Sequence, residues 1–392
     1  MKKLFTYLFF SCLSVPAIAA DTTKVLFIGN SFTATHDVPQ MVKGFADAAG
    51  LPMKIMSHAP GGISVGDVSQ GTMAHMNNPT VFDLIRSDNW NYVVLQDNQG
   101  RFVDGGGNFP NPAQSKVVDG HIKIRDSMRK HNPCARMLLF SGWAWKDGYP
   151  GLGDGVKLIN NIYENYYFLN KTANEVITPI GLAWLRAKVQ LPAIDLWGPD
   201  GAHQSVEGSY LTGAVIFSSI YRMDIANNAF TGGVDPVSAG KMRAIAAATV
   251  NDSLTGTKLS QYIPTISYAG TVLTASTGYT KYEWFKNGAL VATTTANTYT
   301  AGPAGTDCYQ VMVTDNKNCK QRSALVCKAT TISVGRVAQV HELSISPNPA
   351  ADRIQITMST ASATSKKYTI TDITGHVLAT GTFTGEKMDV TV

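Results

Sequence analysis

Short apolar runs alternate with helical patterns along the first two thirds of the sequence. Four apolar runs predict buried strands, at residues 25–28, 92–95, 137–140 and 176–180. Residues 54–56 are a candidate edge strand, and apolar residues recur at helical spacing in residues 38–49, 117–128, 210–221 and 239–250. Strands that are apolar throughout and separated by helices indicate a parallel sheet covered on both faces. We therefore predict an α/β fold, a three-layer α/β/α domain over residues 21–258, with ligands bound at the carboxyl ends of its strands.

The pattern changes after this domain. Residues 259–335 are rich in Thr, Tyr, Val and Gly, and they contain short alternating runs and the hairpin signal Lys286-Asn287-Gly288. These runs predict a small β-sandwich. Trp284 on an early strand and Cys308-Tyr309 on a late strand resemble an immunoglobulin-like module.

Residues 340–392 form a third, β-rich C-terminal segment of alternating runs. Pro347-Asn348-Pro349 near its start and the strand and turn around Asp372 and Gly375 closely resemble the C-terminal sorting domain of type IX secretion cargo. The resemblance implies the secretion machinery as a partner. The family usually continues into a further Gly-Tyr-containing strand, whereas this sequence stops at Val392, which leaves open whether the segment is complete or truncated.

The amino terminus indicates export. A basic pair at residues 2–3 precedes an apolar run over residues 4–15, and Ala17 and Ala19 supply the small residues of a cleavage site. We interpret residues 1–20 as a secretory signal peptide, with an amino-terminal anchor as the alternative. Because no other stretch approaches the length of a membrane span, we expect a secreted or cell-surface protein.

Composition and charge exclude several classes of protein. Of the 392 residues, 44% are hydrophobic and 16% are charged, against about 25% charged in average soluble domains. This composition excludes a disordered chain and a coiled coil. The formal net charge of +5 is too weak over this length for a general nucleic-acid binder.

The cysteines beyond the signal peptide fall into two groups. Because export permits disulfides, we expect a bridge among Cys308, Cys319 and Cys327, without predicting which two of them pair. Cys134 stands alone in the first half of the sequence, just before an apolar run. We expect it to be a buried thiol.

Ser31 follows the first predicted strand directly, in the run Gly29-Asn30-Ser31-Phe32. At the carboxyl end of a strand, near the start of a helix, backbone N–H groups can receive an oxyanion. Ser31 is therefore a candidate nucleophile. The alternative is a serine that caps the helix, which is common in α/β proteins.

Asp200 and His203 place a carboxylate three residues before an imidazole, ahead of a helical pattern. A serine hydroxyl needs a base to take its proton, and the base needs a partner that holds its tautomer and stabilises its cation. One short loop with Asp200 and His203 can supply both. The alternative is that Asp200 caps the following helix and His203 is solvated.

Together, Gly29-Asn30-Ser31-Phe32 and Asp200-x-x-His203 resemble the SGNH/GDSL hydrolase superfamily. Two further runs, residues 178–184 and 208–211, resemble a branch of exported hydrolases from polysaccharide-degrading bacteria, and the resemblance spans residues 24–225. It implies an SGNH-hydrolase-like domain in which Ser31 is the nucleophile and its N–H an oxyanion donor. It also implies His203 as the general base and Asp200 as the residue that orients it.

The resemblance implies two more donors to the oxyanion. The family's second block is a glycine, for which Gly62 is preferred and Gly66 is the alternative. The third block holds an asparagine that donates through its side chain. Asn98 falls at that position, but Gln96 replaces the family's glycine and Gln99 its aspartate, so either Asn98 or Gln96 is the donor.

Three aromatic residues follow the third predicted strand, Trp143, Trp145 and Tyr149. They form either a rim that binds sugar at the active end of the sheet or part of the core. The sequence does not decide between these two roles.

We expect a secreted serine esterase that hydrolyses carboxylic esters through an acyl-Ser31 intermediate. No spacing of His and Cys suggests a metal site, so no metal or cofactor is expected. The resemblance and the exported setting imply acetyl groups on carbohydrate as the substrate. The alternative is a surface protein that has lost catalysis and binds carbohydrate or mediates adhesion.

Overall fold

The computed structural model describes eleven stretches of the chain: residues 21–66, 73–103, 109–110, 114–149, 152–223, 225–253, 264–302, 307–327, 343–346, 353–371 and 377–391. The predicted signal peptide, the Pro347-Asn348-Pro349 motif and the turn at residues 372–376 lie outside them. Within these stretches, no helix combines the length and the apolar character that crossing a membrane requires.

A five-stranded parallel sheet forms the centre of the first domain. Its strands are β1 (Thr23–Ile28), β2 (Met53–His58), β3 (Tyr92–Leu95), β4 (Arg136–Phe140) and β5 (Val176–Thr178). Their order is β2-β1-β3-β4-β5, and every neighbouring pair is parallel. Successive residues of β1 point to opposite faces of the sheet, and Val25 to Ile28 are all fully buried, so both faces are covered. The predicted α/β fold with a parallel sheet is confirmed.

Eight helices are described in this domain: α1 (Ser31–Ala34), α2 (Val38–Ala48), α3 (Pro79–Arg86), α4 (Ser115–His131), α5 (Gly155–Ala173), α6 (Ile180–Gln190), α7 (Val206–Tyr221) and α8 (Pro236–Asp252). The four predicted helices correspond to α2, α4, α7 and α8. The fourth strand ends at Thr178 rather than at residue 180, because Pro179 has no N–H to donate to a neighbouring strand and Ile180 already begins α6.

Two antiparallel sheets follow. Their strands are β6 (Ile266–Ala269), β7 (Val272–Ala275), β8 (Lys281–Lys286), β9 (Ala289–Thr294), β10 (Thr298–Thr300), β11 (Cys308–Thr314), β12 (Lys320–Arg322) and β13 (Val326–Cys327). One sheet has the order β10-β7-β6 and the other β12-β11-β8-β9, with β13 beside β11. Leu273 of the first sheet and Trp284 and Val311 of the second share one buried core. The immunoglobulin-like assignment and the domain boundaries stay predictions.

The disulfides correct one expectation. Cys308 and Cys327 pair within the predicted trio, but Cys134 is bonded to Cys319 and is not a free thiol. The prediction for Cys134 was wrong because its partner lies 185 positions away in the chain, where no local pattern records it. This bridge joins the α/β domain to the two antiparallel sheets, which we call the β-module (residues 264–327).

The β-module contacts the end of the parallel sheet opposite Ser31. Cys134 precedes β4, so the bridge lies at the amino end of that strand. The Gln310 side chain donates to the carbonyls of Tyr221 and Arg222, both at 3.2 Å, at the end of α7. Because Ser31 follows the carboxyl end of β1, the β-module lies away from it.

The C-terminal segment forms an antiparallel sheet of β14 (Leu343–Ser346), β15 (Arg353–Thr371) and β16 (Val377–Thr391), in that order. Strands were predicted here, and β15 is much longer than the short strands expected. Its assignment as a sorting domain stays a prediction.

Candidate active site

Ser31 is the first residue of α1, immediately after β1. The helix cap is Asn30 rather than Ser31, since the Asn30 side chain accepts from the Phe32 N–H at 3.1 Å. Asn30 is itself held on two sides: its N–H donates to Gln96 Oε1 at 2.7 Å, and its Nδ2 donates to the Ile63 carbonyl at 2.9 Å. The Ser31 hydroxyl is therefore not used as a cap.

Ser31, His203 and Asp200 form a continuous chain of hydrogen bonds. Ser31 Oγ lies 2.8 Å from His203 Nε2, and His203 Nδ1 lies 2.5 Å from Asp200 Oδ2. Asp200 also accepts from the N–H groups of Ala202 at 3.0 Å and His203 at 2.9 Å. The bond to the His203 side chain, followed by that to Ala202, lowers the pKa of Asp200 to about 2, so its carboxylate is ionised at neutral pH. Asp200 does not cap α7; Ser205 does.

Hydrogen bonds hold the loop that carries His203 against the segment after β4. The Trp143 indole N–H donates to the Ala202 carbonyl at 2.9 Å, and the Lys146 N–H donates to the Gly201 carbonyl at 2.9 Å. Trp143 is fully buried and stacks on Trp184 with ring centroids 4.0 Å apart. Because Trp143 is fixed in the core, its hydrogen bond to the Ala202 carbonyl holds the loop in position beside Ser31.

Phe32 contacts the imidazole face. Its ring stacks on that of His203 with centroids 5.1 Å apart and planes inclined by 21°. Phe32 also makes a T-shaped contact with Trp143, with ring centroids 5.4 Å apart. The sequence motif gave Phe32 no separate role, because a motif does not record which ring packs against the imidazole.

A pocket of about 190 Å³ opens at Ser31. Its lining is Asn30, Ser31, Phe32, Gly62, Asn98, Gln99, Gly100, Trp143, Ala144, Trp145, Ala202 and His203. Gly62 has a positive φ of 74°, a backbone conformation that favours glycine. Asn98 Oδ1 accepts from the Gly100 N–H at 3.0 Å, which leaves the Asn98 Nδ2 group without a partner among the described residues. Gly62 and Asn98 are thus brought beside Ser31.

The two alternative oxyanion donors lie elsewhere. A Cβ on Gly66 would meet the Lys116 carbonyl oxygen at 1.7 Å, so this glycine permits close packing against α4. Gln96 is fully buried, and its Oε1 accepts from Asn30 and from Thr33 Oγ1 while its Nε2 donates to the Asp97 carbonyl. The Gln96 Oε1 thus holds the turn that carries Ser31. Neither Gly66 nor Gln96 lines the pocket.

The three aromatic residues after β4 differ in burial. Trp143 is fully buried and Trp145 is half-buried, and both line the pocket. Tyr149 is 49% exposed, and its ring centroid is 5.3 Å from that of Trp145. Trp145 and Tyr149 thus form an aromatic pair, of which Trp145 lines the pocket and Tyr149 does not.

A second, larger cavity adjoins the first at His203. It has a volume of about 540 Å³, and Asp200, His36 and Glu207 are among the residues that line it. The smaller pocket and the larger cavity thus meet at His203, which can take the proton of the Ser31 hydroxyl and so activate it as a nucleophile.

In the described part of the chain, no group of three or more His, Cys, Asp or Glu side chains could hold a metal ion.

Comparisons with known proteins find similarity to solved structures. No protein-family model and no curated protein matches the chain. A DUF4886 family protein from Bacteroides uniformis is 18% identical, with a TM-score of 0.49 over 59% of this chain and 95% of that chain. A putative GDSL-like lipase from Parabacteroides merdae is 13% identical, with a TM-score of 0.39 over 52% of this chain and 96% of that chain.

An acetylxylan esterase from Geobacillus stearothermophilus is 16% identical, with a TM-score of 0.36 over 56% of this chain and 99% of that chain. These identities and TM-scores are too low to transfer an activity to this chain. The α/β fold is shown by its own sheet, and the function has to be inferred from its own site.

Proposed function

We propose that this chain is a serine hydrolase of carboxylic esters. The observation that carries the proposal is the unbroken chain of hydrogen bonds from Ser31 Oγ through His203 to the carboxylate of Asp200. His203 takes the Ser31 proton as Ser31 Oγ bonds to the ester carbonyl carbon, and Asp200 stabilises the imidazolium that results. His203 then gives that proton to the leaving alcohol, and an acyl-Ser31 ester remains for water to hydrolyse.

The oxyanion formed in each step needs donors that are already in place. The N–H groups of Ser31 and Gly62 and the side-chain amide of Asn98 are the donors that we assign to it. Gly62 and Asn98 line the pocket that contains Ser31, which supports this assignment over Gly66 and Gln96. Loss of one such donor typically costs about 10²–10³ in rate.

The two cavities favour an ester with a short acyl group and a large alcohol. The pocket of about 190 Å³ beside Ser31 suits an acetyl group, whereas His203, which hands its proton to the alcohol, also borders the cavity of about 540 Å³. Trp145 and Tyr149 add an aromatic pair, on which a sugar ring can stack. We therefore assign acetylated carbohydrate as the substrate class. Export and type IX sorting belong to the same proposal and rest on the sequence motifs.

Hydrolysis of p-nitrophenyl acetate by residues 21–392 tests the reaction. We expect turnover that Ser31→Ala abolishes and Ser87→Ala leaves unchanged, because Ser87 is exposed on the protein surface. Covalent labelling by a fluorophosphonate should likewise require Ser31. Absence of both turnover and labelling in the wild type would favour the alternative, a carbohydrate-binding or adhesion protein without catalysis.

A further inference from the structure

Asp97 is a fully buried carboxylate that the proposed reaction does not use. It lies two residues after the end of β3 and does not line the pocket that contains Ser31. In the described part of the chain, no Lys or Arg forms an ion pair with it. A buried carboxyl group needs hydrogen-bond partners, so the groups that donate to it indicate its role.

Three donors converge on a single oxygen of Asp97. Its Oδ1 accepts from Ser64 Oγ at 2.8 Å, from the Val65 N–H at 2.9 Å and from the Asn98 N–H at 2.7 Å. Ser64 and Val65 belong to the loop that contains Gly62, and Asn98 is a proposed oxyanion donor itself. One carboxylate oxygen therefore connects the two segments that carry these donors.

The backbone of Asp97 is held as well. Its carbonyl accepts from the side chains of Gln96 and Gln99, the latter at 2.9 Å. Two buried histidines, His75 and His121, lie close enough to interact electrostatically with Asp97. Burial lowers the pKa of both imidazoles, which keeps them uncharged at neutral pH. Among the described residues, Asp97 is thus held by hydrogen bonds from the two segments and not by a cation.

We propose that Asp97 is a positioning residue that holds Gly62 and Asn98 in place for the oxyanion. This inference rests on the proposed function. Donors stabilise a developing charge best when they are already oriented, because no reorganisation is then needed during the reaction. Because one oxygen of Asp97 accepts from both segments, it fixes their positions relative to each other.

The test compares Asp97→Ala with Asp97→Asn in the full chain, residues 21–392, on p-nitrophenyl acetate. Asparagine keeps an acceptor oxygen at the position of Oδ1, and it places its NH₂ group where Oδ2 has no partner among the described residues. We expect Asp97→Ala to lower kcat by roughly 100-fold with KM within about threefold of the wild type. Asp97→Asn should recover kcat to within about tenfold of the wild type.

Amide hydrogen exchange supplies a second readout. Exchange of the Val65 and Asn98 amides should become faster in Asp97→Ala and stay slow in Asp97→Asn. A role in stability alone would instead lower the melting temperature of Asp97→Ala, with kcat per folded molecule unchanged.

If Asp97→Ala does not fold, Ser64→Ala tests the inference instead, because it removes one of the three hydrogen bonds to Asp97 Oδ1 and leaves Asp97 in place. A loss of about 3–10-fold in kcat at unchanged KM would support the inference, and an unchanged kcat would overturn it. If the wild type shows turnover that depends on Ser31, and Asp97→Ala has the kcat of the wild type, this inference is overturned and the proposed function stands. No Ser31-dependent turnover in the wild type would overturn it together with the proposed function.

Discussion

Ser31 Oγ lies 2.8 Å from His203 Nε2, although 172 positions separate the two residues in the chain. Ser31 reaches this point because β1 ends there, and His203 because its loop is bonded to the segment after β4 through Trp143 and Lys146. Three separate segments thus meet at the carboxyl end of the sheet. The predictions below test what each of them contributes.

Asp200→Asn should lower kcat by about 10³–10⁴ with KM changed only a few-fold. An amide in place of the carboxylate no longer holds the His203 tautomer or stabilises the imidazolium. Steady-state hydrolysis of p-nitrophenyl acetate measures this, with Asp147→Asn as the matched control, since Asp147 is exposed. Wild-type kcat in Asp200→Asn would contradict the proposed role.

Phe32→Leu should lower kcat by about 3–10-fold, because a stacked aromatic pair contributes about 0.5–1.5 kcal/mol. The Phe32 ring stacks on the His203 imidazole with centroids 5.1 Å apart, and leucine keeps the apolar bulk without the ring. Steady-state hydrolysis of p-nitrophenyl acetate measures the change, with Phe32→Tyr as the control that keeps the ring. Equal kcat in the leucine and tyrosine variants would refute the prediction.

Trp145→Ala should reduce kcat/KM on an acetylated oligosaccharide by about 3–10-fold, because it removes apolar surface that a sugar ring would cover and such burial contributes about 25 cal/mol per Å². The same variant should change p-nitrophenyl acetate hydrolysis much less, because that alcohol needs no sugar subsite. Tyr167→Ala removes an exposed aromatic side chain on α5 that does not line the pocket, and it serves as the control. Equal losses on both esters would indicate a general packing defect.

Cys134→Ser with Cys319→Ser should lower the free energy of unfolding by about 2–5 kcal/mol, because the bridge closes a loop of 185 residues. Activity should stay within twofold of the wild type, since the bridge lies at the amino end of the sheet. Urea unfolding and limited proteolysis measure the change, with the Cys308–Cys327 double variant as comparison. Loss of activity in the folded double variant would show that the β-module acts on the site.

Glu175→Gln should stabilise the protein at alkaline pH relative to the wild type. Glu175 is fully buried, and burial, opposed by Arg129, raises its pKa from 4.5 to about 7. Folding therefore favours the protonated carboxyl. Its contribution to stability is fully present below about pH 4.5 and is lost as the pH rises through about 7.

The difference between wild type and Glu175→Gln should grow by on the order of 1–3 kcal/mol between pH 5 and pH 8. Urea unfolding at a series of pH values measures it. Glu164→Gln, at an exposed position of α5, should show no such trend. A difference that does not vary with pH would exclude the buried carboxyl as its source.

The α/β fold could be predicted from the sequence because its strands are short and apolar throughout. A strand such as residues 25–28 has no polar face, and that pattern arises where helices cover both sides of a sheet. The helices α1, α3, α5 and α6 were not predicted. The exposed face of a helix and its packing partners are set by neighbours that are distant in the chain, which a local pattern does not record.

The sequence by itself determined the parallel sheet and singled out Ser31, Asp200 and His203, because strand ends and an Asp-x-x-His loop are local patterns. Only the tertiary structure decided the choices that depend on distant contacts. It placed Gly62 at the pocket and Gly66 against α4, and it brought Cys134 to Cys319. Each of these outcomes follows from which backbone comes near which side chain, and that proximity exists only once the chain has folded.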